Sequence, residues 1–156
     1  MNRSEVEVDG LLRDMAREIE PILQSARQSL EVECPPQVGV VSVDRDRIRH
    51  VFINLLGNAS KYSPEGSRIT LYARVAEEGF MRFGVRDEGP GIPAGSMGKV
   101  FERFYRVPGQ TIEQTKGAGL GLSISREIVV AHGGSIACTS EPGRGSDFYF
   151  NLPKGT

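Results

Sequence analysis

Lys116-Gly117-Ala118-Gly119-Leu120-Gly121-Leu122-Ser123-Ile124, KGAGLGLSI, sets three glycines at alternate positions and then runs into an apolar pattern of helical period. The first four N–H groups of a helix have no partner inside it, so a glycine turn entering a helix can present them to phosphate. Glycine turns of this kind also occur with no ligand. The rest of the chain has to decide between a nucleotide site and a plain loop.

Downstream, Leu120 to Ala131 reads as the helix, stopped by Gly133-Gly134, and Ser135 to Ser140 with Ser146 to Leu152 reads as a hairpin around EPGRG. Upstream, the alternating runs Ser67 to Ala76 and Phe80 to Asp87 predict two strands joined by a Glu-Glu-Gly turn. Before them a helix starts at Asp44, a capping residue with Val43 and Ile48 placed as a staple across it, and runs to about Tyr62, where Pro64-Glu65-Gly66 ends it. Val8, Leu11, Leu12, Met15, Ile19, Ile22, Leu23, Ala26 and Leu30 form one stripe. They predict an amphipathic helix from Val8, bent at Pro21, that covers a sheet, with the residues before Asp9 left as the remnant of a linker. Short strands are expected around Leu30 to Cys34 and Val38 to Val43. The sum is an α/β two-layer sandwich, about three helices packed on a mixed five-stranded sheet.

At 156 residues and 38% hydrophobic content the chain fits a single domain, 1–156, with a core that folds without staples. Nineteen Lys plus Arg against twenty Asp plus Glu give a formal charge of -1, which excludes a nonspecific nucleic-acid or acidic-membrane binder acting through bulk charge. Cys34 and Cys138 lack metal-site spacing and read as buried free thiols. No stretch approaches the roughly 18 apolar residues of a spanning helix, so the chain reads as soluble, with no direct membrane insertion.

Chemistry concentrates in two places besides the glycine stretch. Arg47, His50, Asn54, Asn58 and Lys61 fall roughly on one face of the second helix. That face is either solvated surface or a site, since asparagine is a poor mid-helix residue, an amide oxygen can ligate Mg²⁺, and a lysine meets phosphate as a point charge. Asp87 ends a strand and enters DEGPGI. Its carboxylate either accepts from an exocyclic amine such as that of adenine or bonds its own turn backbone. A dinucleotide-binding βαβ setting is missing for either glycine cluster, and no Gly-Lys-Ser/Thr ending marks a P-loop.

Taken together, NLLGNASKYSP from Asn54, DEGPGIP from Asp87, FERFYR from Phe101 and GAGLGLSISREIVVAHGG from Gly117 resemble the catalytic, ATP-binding domain of a bacterial-type sensor histidine kinase, a member of the GHKL superfamily. The resemblance runs from about Asp9 to Pro153. It implies that Asn58 holds Mg²⁺ between the phosphates of ATP, with Lys61 near them and Tyr62 beside the base. Asp87 would read the adenine amino group, in a pocket shaped by Gly89, Gly91 and Ile92. Arg106 would approach the phosphates on engagement with substrate. Residues 107–116 would form a lid over ATP, followed by Gly117, Gly119, Leu120, Gly121 and Leu122 of the phosphate-cradling segment. Gly143, Gly145 and Ser146 would lie near the nucleotide.

The resemblance also bears on reaction type. Superfamily members that hydrolyse ATP carry a glutamate one turn before the metal-binding asparagine. Here that place is taken by Asn54, and an amide is no general base, so weak hydrolysis is expected and Asn54 joins Asn58, Lys61 and Arg106 as catalytic candidates for phosphoryl transfer. The two histidines, His50 and His132, lack the context of a phosphoacceptor. The expectation is therefore an excised domain, or a kinase partner that phosphorylates a histidine supplied by another chain; it would be monomeric and cytoplasmic, and its parent can be membrane-bound. It would act on a histidine of a helical dimerisation domain absent here, and through the full kinase on a response regulator. A serine/threonine anti-sigma-type kinase and a noncatalytic adenine-nucleotide-sensing module remain the competing readings.

Overall fold

The computed structural model describes residues 1–89, 100–101, 121–141 and 143–155. Asp44 acts as the cap its position predicts: its Oδ1 accepts the Arg47 N–H at 3.3 Å, and helix α2 runs Arg45–Tyr62. Val43 and Ile48, on either side of the cap, are fully buried. Helix α1, Val8–Ser25, buries Val8, Leu11, Leu12, Met15, Ile19 and Leu23. Pro21 lies inside α1 on its exposed side, where it removes only one backbone donor.

The apolar stripe had carried α1 towards Leu30, but the helix stops earlier. Arg27 takes φ 54°, and the Gln28 N–H turns back to the Leu23 carbonyl at 2.9 Å, a left-handed helix end that frees Leu30 for a strand. Gln28 is buried there. Its Nε2 donates to the carbonyls of Ser60 and Ser63, while its Oε1 accepts from the Ser60 hydroxyl, so the ends of α1 and α2 are fastened together. Ion pairs Arg45–Asp14 and Arg49–Glu18 join the same two helices at the surface.

Five strands form the main sheet: β2 Ser29–Glu33, β4 Arg68–Val75, β5 Phe80–Asp87, β6 Ser135–Glu141 and β7 Gly145–Pro153, in the order β2-β4-β5-β7-β6. β2 runs parallel to β4 and the other pairs are antiparallel, which gives the expected mixed sheet. α1, α2 and α3 (Gly121–Ala131) pack against it. At the centre Phe52 of α2 meets Phe83 of β5 edge-on at 5.5 Å and Phe150 of β7 at 5.2 Å, all three fully buried. Truncating any of them should cost about 3–5 kcal/mol.

Two expectations are corrected. Ser4–Glu7 is not linker but a strand, β1, paired antiparallel with β3, Val40–Val43, in a separate two-stranded sheet. β3 thereby leaves the main sheet. Its Val41 also bridges to Lys154, and the Gly155 N–H reaches the Val40 carbonyl at 2.9 Å. The cysteines are free, as read, yet both are partly exposed rather than buried.

Candidate functional site

α2, the β5 end and the start of α3 converge on one region. Asp87 is the last residue of β5 and stands opposite Ser146 in the β5–β7 register. The Ser146 hydroxyl donates to Asp87 Oδ2 at 2.8 Å, and the Gly89 N–H donates to Oδ1 at 2.9 Å. The turn-aspartate reading of Asp87 is thus realised, and each carboxylate oxygen keeps a second lone pair that could accept a further donor. Burial pushes this carboxyl above its ordinary value, while the donors from Gly89 and Ser146 pull the other way.

The glycines here are demanded by close approach. A Cβ on Gly89 would come within 2.7 Å of the Tyr62 carbonyl oxygen, so this glycine lets the loop after β5 lie against the last turn of α2. Gly145 has φ 114°, and a Cβ there would fall on the Asp87 carbonyl oxygen. Gly143 differs: its φ is 82°, but nothing lies within 4 Å of an added Cβ, so it serves its turn alone.

On α2, Asn58 is partly exposed and makes no side-chain hydrogen bond among the described residues. Lys61 Nζ stands 5.5 Å from the centroid of the Tyr62 ring. Asn54 is differently employed. Its Nδ2 donates to the Gly121 carbonyl and to the Ser125 hydroxyl oxygen, each at 3.2 Å, and so ties α2 to the first turn of α3. The side chain of Leu122 packs against the apolar core. Gly91, Ile92, Arg106, Gly117, Gly119, Leu120, the expected lid 107–116, Phe104 and Tyr105 lie outside the described residues. Phe101 is described: it is buried and packs edge-on against Phe148 at 6.1 Å.

Among the described residues no group of three or more His, Cys, Asp or Glu could hold a metal ion, so a divalent cation here would rely on amide oxygen and ligand phosphate. No helix among them is long and apolar enough to cross a membrane. A cavity of about 380 Å³ between α3 and β6, lined by Phe101, Arg126, Val130, Ile136 and Cys138 among others, shares no residue with the Asp87 cluster.

Sequence reasoning missed two polar residues that hold α3 to α2. Ser125 is one. The other is His132, buried at the end of α3, whose Nε2 accepts the Asp44 N–H at 3.0 Å while Nδ1 lies 2.8 Å from the Ile128 carbonyl. A backbone carbonyl only accepts, so Nδ1 carries the hydrogen and the ring is a neutral structural link between α3 and the cap of α2. The only signal for either was a polar residue on an otherwise apolar helix face.

Residues 43–156 match the family described as histidine kinase-, DNA gyrase B-, and HSP90-like ATPase. The sensor histidine kinase WalK of Bacillus subtilis is 46% identical over 114 residues, covering 72% of this chain and 19% of that kinase. The catalytic domain of histidine kinase ThkA superposes with a TM-score of 0.85 at 30% identity, covering 99% of this chain and 97% of that one. Full-length ShkA in complex with AMPPNP superposes with a TM-score of 0.88 at 30% identity, over all of this chain and 32% of that one. The chain spans 19% to 40% of the length of the first curated sensory kinases it matches.

Proposed function

Because the chain belongs to the histidine kinase-, DNA gyrase B- and HSP90-like ATPase family, with sensor histidine kinases as its relatives, we propose that it binds Mg-ATP and donates the γ-phosphoryl group to a histidine on a separate helical domain. The observation that carries this reading is the Asp87 cluster: a half-buried carboxylate, held by Gly89 and Ser146, beside the end of the helix that carries Asn58, Lys61 and Tyr62. The adenine amino group would donate to Asp87, and the ring would lie along Tyr62.

At the other end of the ligand, the Asn58 amide fits a magnesium ion because its oxygen has no competing protein donor among the described residues. Lys61 and the first-turn N–H groups of α3 would offset phosphate charge. The attacking group, a neutral imidazole, is already a nucleophile, so the domain needs to position and neutralise rather than to supply a base. Asn54 as an amide suits that division of labour. In the same reading the isolated chain is monomeric, and the acceptor helices and a response regulator are partners met by the longer protein.

Calorimetric titration with ATP, with and without Mg²⁺, tests this, with Asp87→Asn as the paired control. Saturable binding weakened by that substitution is expected. A folded chain that binds no adenine nucleotide overturns the reading.

A further inference from the structure

Ser125 is fully buried one turn into α3, just past the KGAGLGLSI stretch. Its hydroxyl oxygen and the Gly121 carbonyl accept from the same nitrogen, Asn54 Nδ2. A backbone carbonyl can only accept, so the amide of Asn54 has one permitted orientation: nitrogen towards α3, oxygen turned away from both partners. A carboxylate at position 54 would set oxygen against the Gly121 carbonyl with no hydrogen between them. The residue at 54 is therefore constrained from across the site, by the backbone of another helix.

We propose that Ser125 is a positioning residue. With Asn54 it locks the first turn of α3 to α2, fixes the direction in which that turn faces the site, and makes an amide, not a carboxylate, the residue that this architecture accepts at position 54. The proposal rests on the Mg-ATP reading for its functional consequence, though not for the lock itself. Three features support it. The contact joins segments 67 and 71 residues apart, so no local propensity explains it. Ser125 is 0% exposed, so its oxygen has no bulk water to replace the Asn54 donor. Gly121 lies flush against Asn54, where an added Cβ would sit 3.7 Å from its Cγ, so the helix start and the amide are in direct contact. The consequence for chemistry is a coupling of two properties: the geometry that presents the α3 turn to phosphate is the one that excludes a water-activating carboxylate one turn from Asn58.

The test uses the full chain with Ser125→Ala and the isosteric Asn54→Asp. Amide hydrogen exchange in the nucleotide-free protein reads the lock. The amides of Ser125 to Ile128, which bond back to the carbonyls of that turn, should exchange about tenfold faster in both variants, with β4 and β5 unchanged as the control for folding. Calorimetry then reads the consequence: ATP affinity should fall about three- to tenfold while adenosine affinity stays at the wild-type value. Unchanged exchange in both variants overturns the lock, and adenosine lost as strongly as ATP reduces Ser125 to general scaffolding. Wild-type protein that binds neither ligand would defeat the Mg-ATP reading, while the exchange experiment still decides whether Asn54 and Ser125 form the lock.

Discussion

The two ends of the candidate site are built to opposite rules. At the Asp87 end, the carboxylate already has two protein donors, and the neighbouring glycines are pressed so closely that side chains cannot enter. At the Asn58 end, an amide one turn beyond the α2–α3 contact makes no bond among the described residues. Burial explains the contrast. A half-buried carboxylate left unsatisfied costs several times more than a part-exposed amide that water can reach. The first end is therefore set before any ligand arrives, and the second is completed by what binds there. Affinity for the base and competence for transfer should then be separable by mutation.

The harshest way to break the comparison is Gly145→Ala. The new Cβ meets the Asp87 carbonyl and the backbone is held at φ 114°, so a loss of about 2–4 kcal/mol is expected together with loss of base recognition. Urea denaturation of a variant with wild-type stability would show that this end is softer than the geometry says. Gly143→Ala, two residues away, is the internal control: only the left-handed φ of 82° opposes it, and about 1 kcal/mol with unchanged nucleotide affinity is expected.

Asp87→Asn sharpens the contrast without breaking the fold. An asparagine can still accept from Gly89 and can donate to the Ser146 hydroxyl, yet it loses the charged acceptor for an amine, so affinity should fall roughly ten- to hundredfold. Stability should respond in the other direction. Burial holds the folded-state carboxyl above its free value of 3.8, so its contribution favours folding fully below that value and is lost as pH rises through the folded value. Wild type should therefore gain stability relative to Asp87→Asn as pH is lowered from neutral towards 4, measured by urea denaturation across that range. A constant difference would remove burial as the dominant influence on Asp87.

At the other end, Asn58→Ala should leave magnesium-free nucleotide binding within about twofold and abolish the gain that Mg²⁺ gives, an effect of roughly tenfold. Calorimetry with and without Mg²⁺ reads both quantities. Equal magnesium dependence in mutant and wild type would take the metal role away from Asn58.

What the sequence disclosed follows the same line between local and distant causes. The cap at Asp44, the β4–β5 hairpin and the end of α2 are written in residues a few positions apart, and the structure agrees with them closely. β1 was invisible because SEVE has one apolar residue, Val6, and its pairing with β3 joins residues 33 to 39 positions apart, from Glu7–Val40 to Ser4–Val43. The same distance hid the departure of β3 from the main sheet. Gln28, Ser125 and His132 were hidden likewise, since each finds its partner across 32, 71 and 88 positions respectively. Asp87 was legible as a position and ambiguous as a role, because the turn bond to Gly89 and an acceptor for a ligand require the same side chain.

The placement of β3 between β1 and Lys154 bears on both helices. β3 is bonded on one side to β1 and on the other to Lys154, the residue that follows β7, so it links the small sheet to the end of the large one. The strand leads directly into Asp44, the next residue, where the backbone of Asn2, the cap of α2 and the imidazole of His132 are all attached. The small sheet, the start of α2 and the end of α3 are thus moored at one residue, at the far end of both helices from the Asn54–Ser125 contact.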